Sequence, residues 1–392
     1  MKHKFPDDFL WGVAYSSHQV EGNNSNNDWW EWEKKGKTKE ESGWACDSWN
    51  RYPVDHKLAQ DLGCNAFRLS LEWSRIEPKE GSFSDEAIGH YRKILKDLKK
   101  RGMKRCVTLC HYTLPIWFAR DYGWENKKAV NLFSNYAEKV VGQLGKEIDI
   151  LQTMNEPRLV LNRGYLLGSR PPGRKNPIAF LKARKNLINA HIKSYDKIKK
   201  IDKRILVGMT QYCNDFEFSE GNKLFLWLTE KVENFYNWKF FDEIGDKQDY
   251  IGINYYHGYK ISLKPPFISE LVEYKIKNDM GWGMWPEGIH EIAMDAWNKY
   301  KKPIYILENG AADSEDRMRP KYIREHLKWI RRAISDGADI RGYFHWSILD
   351  NFEWDDGYGP KFGLCEVDFK TMDRKPRPSF YEYQKIIKNN GL

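Results

Sequence analysis

Short apolar runs recur along the whole chain, and each is followed by a stretch patterned for a helix. The runs are Phe9–Ala14, Cys64–Leu71, Met103–Cys110, Ile148–Asn155, Ile205–Tyr212, Tyr250–Tyr256, Pro303–Glu308 and Ile340–Leu349. They are rich in Val, Ile, Leu and aromatics, as strands buried on both faces should be. The stretch after the second run shows the helical pattern best. Ser84 is placed to cap it, Asp85 and Glu86 fill its first turn, and Ile88, Tyr91, Ile94, Leu95 and Leu98 recur at helical spacing. Lys99-Lys100-Arg101 closes it and Gly102 stops it. Similar stretches lie at roughly 127–146, 178–200, 287–300, 319–336 and 377–389. Repeated strand–helix alternation, with no Pro/Gly/Ser-rich linker, predicts an α/β fold: a single (β/α)8 barrel over residues 1–392. An open doubly wound sheet would favour a Gly-rich phosphate turn after the first strand. Tyr15-Ser16-Ser17-His18-Gln19-Val20-Glu21-Gly22 is not one.

Composition narrows the function. Apolar residues make up 41 % of the chain and aromatics 15 %, enough for a large core. The 17 Trp exceed what a core needs, and Trp faces suit stacking on the apolar faces of sugar rings. The net charge of +9 could suit nucleic acid, but Lys99-Lys100-Arg101, Lys199-Lys200 and Arg331-Arg332 fall near helix ends, where cations complement the dipole. No nucleic-acid role is expected. The six cysteines form no C-x-x-C pair, so buried free thiols are expected. Met1-Lys2-His3-Lys4-Phe5-Pro6 lacks the apolar region of a signal peptide, and no segment has ~18 consecutive apolar residues. A cytoplasmic enzyme without membrane insertion is the expectation, and a homo-oligomer is compatible with it.

In such a barrel the chemistry sits at the C-terminal strand ends. Those ends carry Gln19 and Glu21, Arg68 and Glu72, His111, Asn155-Glu156-Pro157, Asn254-Tyr255-Tyr256, Glu308-Asn309-Gly310, and Asp350-Asn351 followed by Glu353-Trp354. Taken singly, each acid could be a strand-end ion-pair partner. Taken together on one rim, next to strongly apolar residues, they point to chemistry. No H-x-H pair supports a metal, and no G-x-S-x-G elbow supports a serine hydrolase. Two carboxyls among aromatic walls and amides suit glycoside cleavage, in which one protonates the leaving oxygen and the other attacks or activates water.

Five motifs carry a resemblance to glycoside hydrolase family 1, the β-glucosidase family, in a form like its archaeal members. They are Phe9-Leu10-Trp11-Gly12-Val13-Ala14 with Gln19-Val20-Glu21-Gly22, Phe67 to Ile76, Thr153-Met154-Asn155-Glu156-Pro157, Ile306-Leu307-Glu308-Asn309-Gly310, and Trp346 to Trp354. The resemblance implies a retaining β-glycosidase acting on β-linked glucosides, galactosides or related glycosides, with no cofactor and no metal. Glu156 would be the general acid/base and Glu308 the nucleophile. Arg68 and Tyr256 would support Glu308. Asn155 would bind the sugar 2-hydroxyl, with Asn254 beside it. Gln19, His111, Glu353 and Trp354 would hold the other hydroxyls over a Trp346 floor.

Two departures are expected to reshape the pocket wall without removing a chemical group: Tyr112, where the family more often has Trp, and Leu307, where Thr is usual. The chain is also short for the family. Cys213 to Asp249 and Gly310 to Arg319 read as trimmed, which implies an open leaving-group side. A 6-phospho-β-glycosidase is disfavoured because a Glu353 carboxylate would repel phosphate. A transglycosylase would use the same two carboxyls as a hydrolase. A non-catalytic glycan-binding barrel often loses one of them, and this sequence keeps both.

Overall fold

The computed structural model describes residues 4–218, 223–262, 268–271 and 277–392. Residues 1–3 of the N-terminal stretch and 219–222 of the trimmed segment lie outside them. Each of the eight apolar runs coincides with a strand, β7 running one residue past its run: β1 Leu10–Ala14, β2 Ala66–Ser70, β3 Lys104–Cys110, β4 Ile150–Asn155, β5 Leu206–Tyr212, β6 Ile251–Asn254, β7 Ile304–Asn309 and β8 Ile340–Trp346. All neighbours pair in parallel, and β8 closes on β1 with Ala14 opposite Trp346. The closed barrel expected from the pattern is therefore present.

The barrel buries two layers. Inside it lie Ala14, Ala66, Cys106, Ile150, Tyr250, Tyr305 and Phe344. Between barrel and helices lie Phe67, Leu69, Val107, Leu151, Val207, Ile253 and Ile306. Successive strand residues alternate between faces, so Arg68 shares the inner face with Ala66. Both faces are covered, which is why the runs read as continuously apolar.

The outer ring is α1 Ser48–Leu62, α2 Asp85–Lys100, α3 Lys128–Leu144, α4 Pro177–Ile201, α5 Lys239–Ile244, α6 Glu287–Tyr300, α7 Arg319–Ser335 and α8 Pro378–Asn389. Ser84 caps α2 as expected, its hydroxyl accepting from the Ala87 N–H at 3.1 Å. The sequence pattern did not reveal α1. Its buried face carries Asp55 and His56, and Asp55 pairs with Arg374 at 2.8 Å. Buried polar groups of this kind erase the apolar stripe that marks a helix. All six cysteines are free and buried. Among the described residues, no helix is long and apolar enough to cross a membrane.

Candidate active site

Arg68 rises from the inner face of β2 and is 1 % exposed. Its Nε donates to Gln152 Oε1 at 2.9 Å, Nη1 to Glu308 Oε1 at 2.5 Å, and Nη2 to Asn155 Oδ1 at 2.6 Å. One guanidinium thereby joins β2 to the ends of β4 and β7. Gln152 anchors it from below, its Oε1 also accepting from Thr108 and Thr210 at 2.8 and 3.1 Å. Gln152 was not among the residues expected from sequence. A glutamine inside a run read as buried on both faces was the signal available, because such a group needs partners.

Glu308 accepts from Arg68 on one oxygen and from the Tyr256 hydroxyl on the other, at 2.6 Å. Burial and the neighbouring Glu308 push the Tyr256 hydroxyl well above its ordinary pKa, so it keeps its proton and donates. Burial pulls the Arg68 guanidinium down, but Glu308 outweighs this and leaves it above its usual value. Strict alternation would not place Glu308 here, because Tyr305 and Leu307 already face inward and Ile306 outward. The register of β7 slips against β6 between Ile306 and Glu308, and against β8 between Ile306 and Asn309. This irregularity turns the carboxyl into the mouth. Gly310 then passes so close to β8 that a Cβ would lie 1.7 Å from the Trp346 carbonyl oxygen.

Glu156 sits opposite, at φ 47°, before the short helix Pro157–Leu161. Its Oε1 accepts from Asn254 Nδ2 at 2.6 Å and its Oε2 from the Tyr112 hydroxyl. Its pKa is pushed up to about 7, first by burial and then by the charge of Glu308. Three cavity-lining residues other than glycine hold left-handed backbone: Tyr112 at φ 73°, Glu156 at 47° and Trp354 at 51°. Such conformations cluster where surrounding structure holds functional groups in place.

The two acids open on one cavity of about 170 Å³. His111, Tyr112, Tyr256, Trp346, Glu353 and Trp354 line it, together with Arg170, Tyr212 and Trp282. Burial, then Arg68, holds the His111 imidazole far below its usual pKa, so it is neutral. It stacks on Trp346 at 5.8 Å. Arg68, Asn155, Asn254 and Gln19 are absent from this lining and stand directly behind it. Gln19 is fully buried and donates to Glu353 Oε1 at 3.2 Å and to Asn351 at 2.9 Å. A larger depression of about 570 Å³ lies at the opposite barrel end, among strand starts such as Leu10, Lys104 and Leu206. Neither acid is there, and that face of a barrel serves stability.

Two expectations need correcting and a third is extended. Leu307 is fully buried in the barrel interior and forms no part of the pocket wall. Tyr112 does more than reshape the wall, because it brings a hydroxyl onto Glu156. Glu353 is pushed up to about 8, mainly by burial and in part by Glu308 against the Trp346 hydrogen bond. Burial thus favours its protonated form, and charge repulsion of a phosphate is weaker than a fully ionised carboxylate there would provide. Among the described residues, no three His, Cys, Asp or Glu side chains are grouped to hold a metal ion.

The chain matches the model of glycosyl hydrolase family 1 over residues 1–244 and 239–392. It is 31 % identical to a β-galactosidase of Pyrococcus woesei, covering 99 % of this chain and 98 % of that one. That alignment runs over 506 positions, so the relative carries segments that this chain of 392 residues lacks. A β-glycosidase from Pyrococcus horikoshii superposes with a TM-score of 0.92 at 37 % identity, covering 100 % of this chain and 96 % of the other. The β-glucosidase of Thermotoga maritima in complex with glucoimidazole superposes with a TM-score of 0.94 at 30 % identity, covering 100 % of both chains. With the match spanning the whole sequence and the barrel shared throughout, the chain belongs to glycosyl hydrolase family 1.

Proposed function

We propose that Glu156 is the general acid/base and Glu308 the nucleophile with which this chain works as a retaining β-glycosidase. The observation that carries the assignment is the contrast between two buried carboxyls facing one cavity. Glu308 is gripped by a cation and a phenol, whereas Glu156 has a neutral amide and a phenol and a pKa raised to about 7. Two carboxyls with environments set apart in this way divide acid and nucleophile roles.

In the first displacement a Glu308 oxygen attacks the anomeric carbon, the glycosidic bond breaks, and Glu156 gives its proton to the departing oxygen. In the second, Glu156 takes a proton from water, whose oxygen attacks the same carbon and releases Glu308. Arg68 and Tyr256 hold Glu308 in line. Asn155 offers its amide to the sugar 2-hydroxyl from behind the wall, steadied by Asn254. His111, Glu353 and Trp354 meet the remaining hydroxyls above Trp346, and Gln19 fixes Glu353. The names of the relatives support both β-glucosides and β-galactosides as substrates, and residues 1–392 act as one catalytic unit.

Paired variants test the roles. Glu308→Gly should lose turnover by roughly 10⁴-fold or more, and added azide should restore part of it as the glycosyl azide of inverted configuration. Glu156→Ala should slow alkyl glycosides by roughly 10²–10⁴-fold and dinitrophenyl glycosides far less, because only the former need a proton to leave. Equal losses on both substrate types would remove Glu156 from the acid role.

A further inference from the structure

Which oxygen of Glu156 carries the transferable proton can be read from the donors around it. Arg68 has no acceptor, so the Asn155 atom 2.6 Å from its Nη2 must be Oδ1. That oxygen also lies 3.2 Å from the Asn254 amide, which must therefore present its Nδ2. The same Nδ2 reaches Glu156 Oε1 at 2.6 Å, and a donor there obliges Oε1 to accept. The carbonyl oxygen of a protonated carboxyl is its better acceptor, so the Asn254 bond assigns that role to Oε1 and the proton to Oε2, which the Tyr112 hydroxyl meets.

We infer that Tyr112 is a positioning residue that holds the proton of the acid/base on Oε2, accepting from Glu156 while it is protonated and donating to it once it is ionised. The inference rests on the roles proposed above for Glu156 and Glu308. A phenol can act in both directions, whereas the indole more usual at this position in the family can only donate. The hydroxyl therefore changes what the wall does to the acid, beyond the change in shape.

Tyr112 is held firmly enough for this. Its ring meets Trp354 at 5.0 Å and His111 at 4.9 Å, both edge-on. The Arg170 guanidinium lies 5.9 Å over the ring and is itself tied to Asp355 at 2.6 Å. Burial and the nearby Glu156 and Glu308 push the phenol well above its usual pKa, so Tyr112 stays neutral through the working range. The other charged or titratable groups around Glu156 include Glu308 from β7, Arg158 from the helix after Glu156, Arg170, Tyr212 at the end of β5, Cys213 just beyond it and Tyr256 after β6. Glu308 favours the protonated acid and Arg158 the ionised one, while the Tyr112 hydrogen bond favours the ionised form.

The experiment compares Tyr112→Phe with Tyr112→Trp in the full chain, using pH profiles of kcat/KM on an alkyl β-glucoside. In Tyr112→Phe the alkaline limb should move up by roughly half a pH unit or more. Its kcat on the alkyl glucoside should fall roughly 10-fold while KM changes less than about twofold. Tyr112→Trp, a donor only, should keep the limb at or below that of the parent. An unchanged limb and kcat in Tyr112→Phe would overturn the inference, as would both variants shifting upward together, which would mark a space-filling role. Should Tyr112→Phe not fold, Tyr112→Trp decides alone: a limb at or below the parent supports the inference, and a raised limb defeats it. If Glu156→Ala keeps its dependence on the leaving group while the Tyr112 variants behave like the parent, only the Tyr112 inference falls.

Discussion

At the scale of single residues, Arg68 decides the geometry of the site. It is buried, its charge is met by Glu308, and its other nitrogens reach Gln152 and Asn155. Removing one partner of a buried ion pair typically costs about 3–5 kcal/mol, because the other charge stays buried and uncompensated. Arg68→Met should therefore lower Tm by several degrees and kcat by roughly 10²-fold or more. Arg68→Lys keeps the charge but loses the fork, so it should spare more of Tm than of kcat. Calorimetry together with steady-state kinetics checks both, and a Met variant with parental kcat would contradict this role for Arg68. Residues at strand ends, such as Glu156, Glu308, Asn155 and Glu353, stand out in the sequence because polar groups there interrupt apolar runs. Gln152 also interrupts its run and Tyr112 departs from the family pattern, but what each of them does depends on partners 84 and 44 positions away respectively.

At the scale of elements, the strand ends matter more than the strands. The eight apolar runs were legible from their continuous apolar composition, and most outer helices from their own period. The slip that turns Glu308 inward was not, since register is a relation between β7 and its two neighbours. The short loop strands Phe216–Phe218, Tyr259–Ile261 and Ile268–Glu270 escaped for a similar reason, being too brief to show a pattern. Gly310 gives a test at this scale. A methyl group there would collide with the Trp346 carbonyl, so Gly310→Ala must push the end of β7 away from β8. Turnover should fall by roughly 10²-fold while the far-ultraviolet circular dichroism stays that of a barrel, since a misplacement of about 1 Å can cost that much. Parental activity in this variant would mean that the close approach does not position Glu308.

At the scale of the whole molecule, burying so many ionisable groups makes stability depend on pH. Burial pushes Asp28 and Glu156 up to about 7, and Glu233 and Glu353 up to about 8. Between pH 6.5 and 8.5 the folded chain still holds protons that the unfolded chain has released, so stability falls as pH rises. Burial also lowers His191 and His257 to about 4 and His326 to about 3. Below their unfolded value, these neutral histidines favour the unfolded chain as pH falls and oppose the gain from the carboxyls there. The Tm profile should thus be nearly flat from about pH 5 to 6.5 and drop by several degrees by pH 8.5. Glu353→Gln should lessen the drop, and a Tm that rises from pH 6.5 to 8.5 would refute this account.

The sequence by itself determined the barrel, its strand order along the chain, the family, and the two carboxyls at the rim. Each of these is written in local period or in residues adjacent in the chain. The tertiary structure alone decided how those carboxyls differ. Their protonation depends on burial and on donors brought from other strands: Arg68 and Tyr256 for Glu308, Asn254 and Tyr112 for Glu156. Solvation and hydrogen bonding across a barrel mouth are properties of a closed surface, which exists only once β8 has met β1.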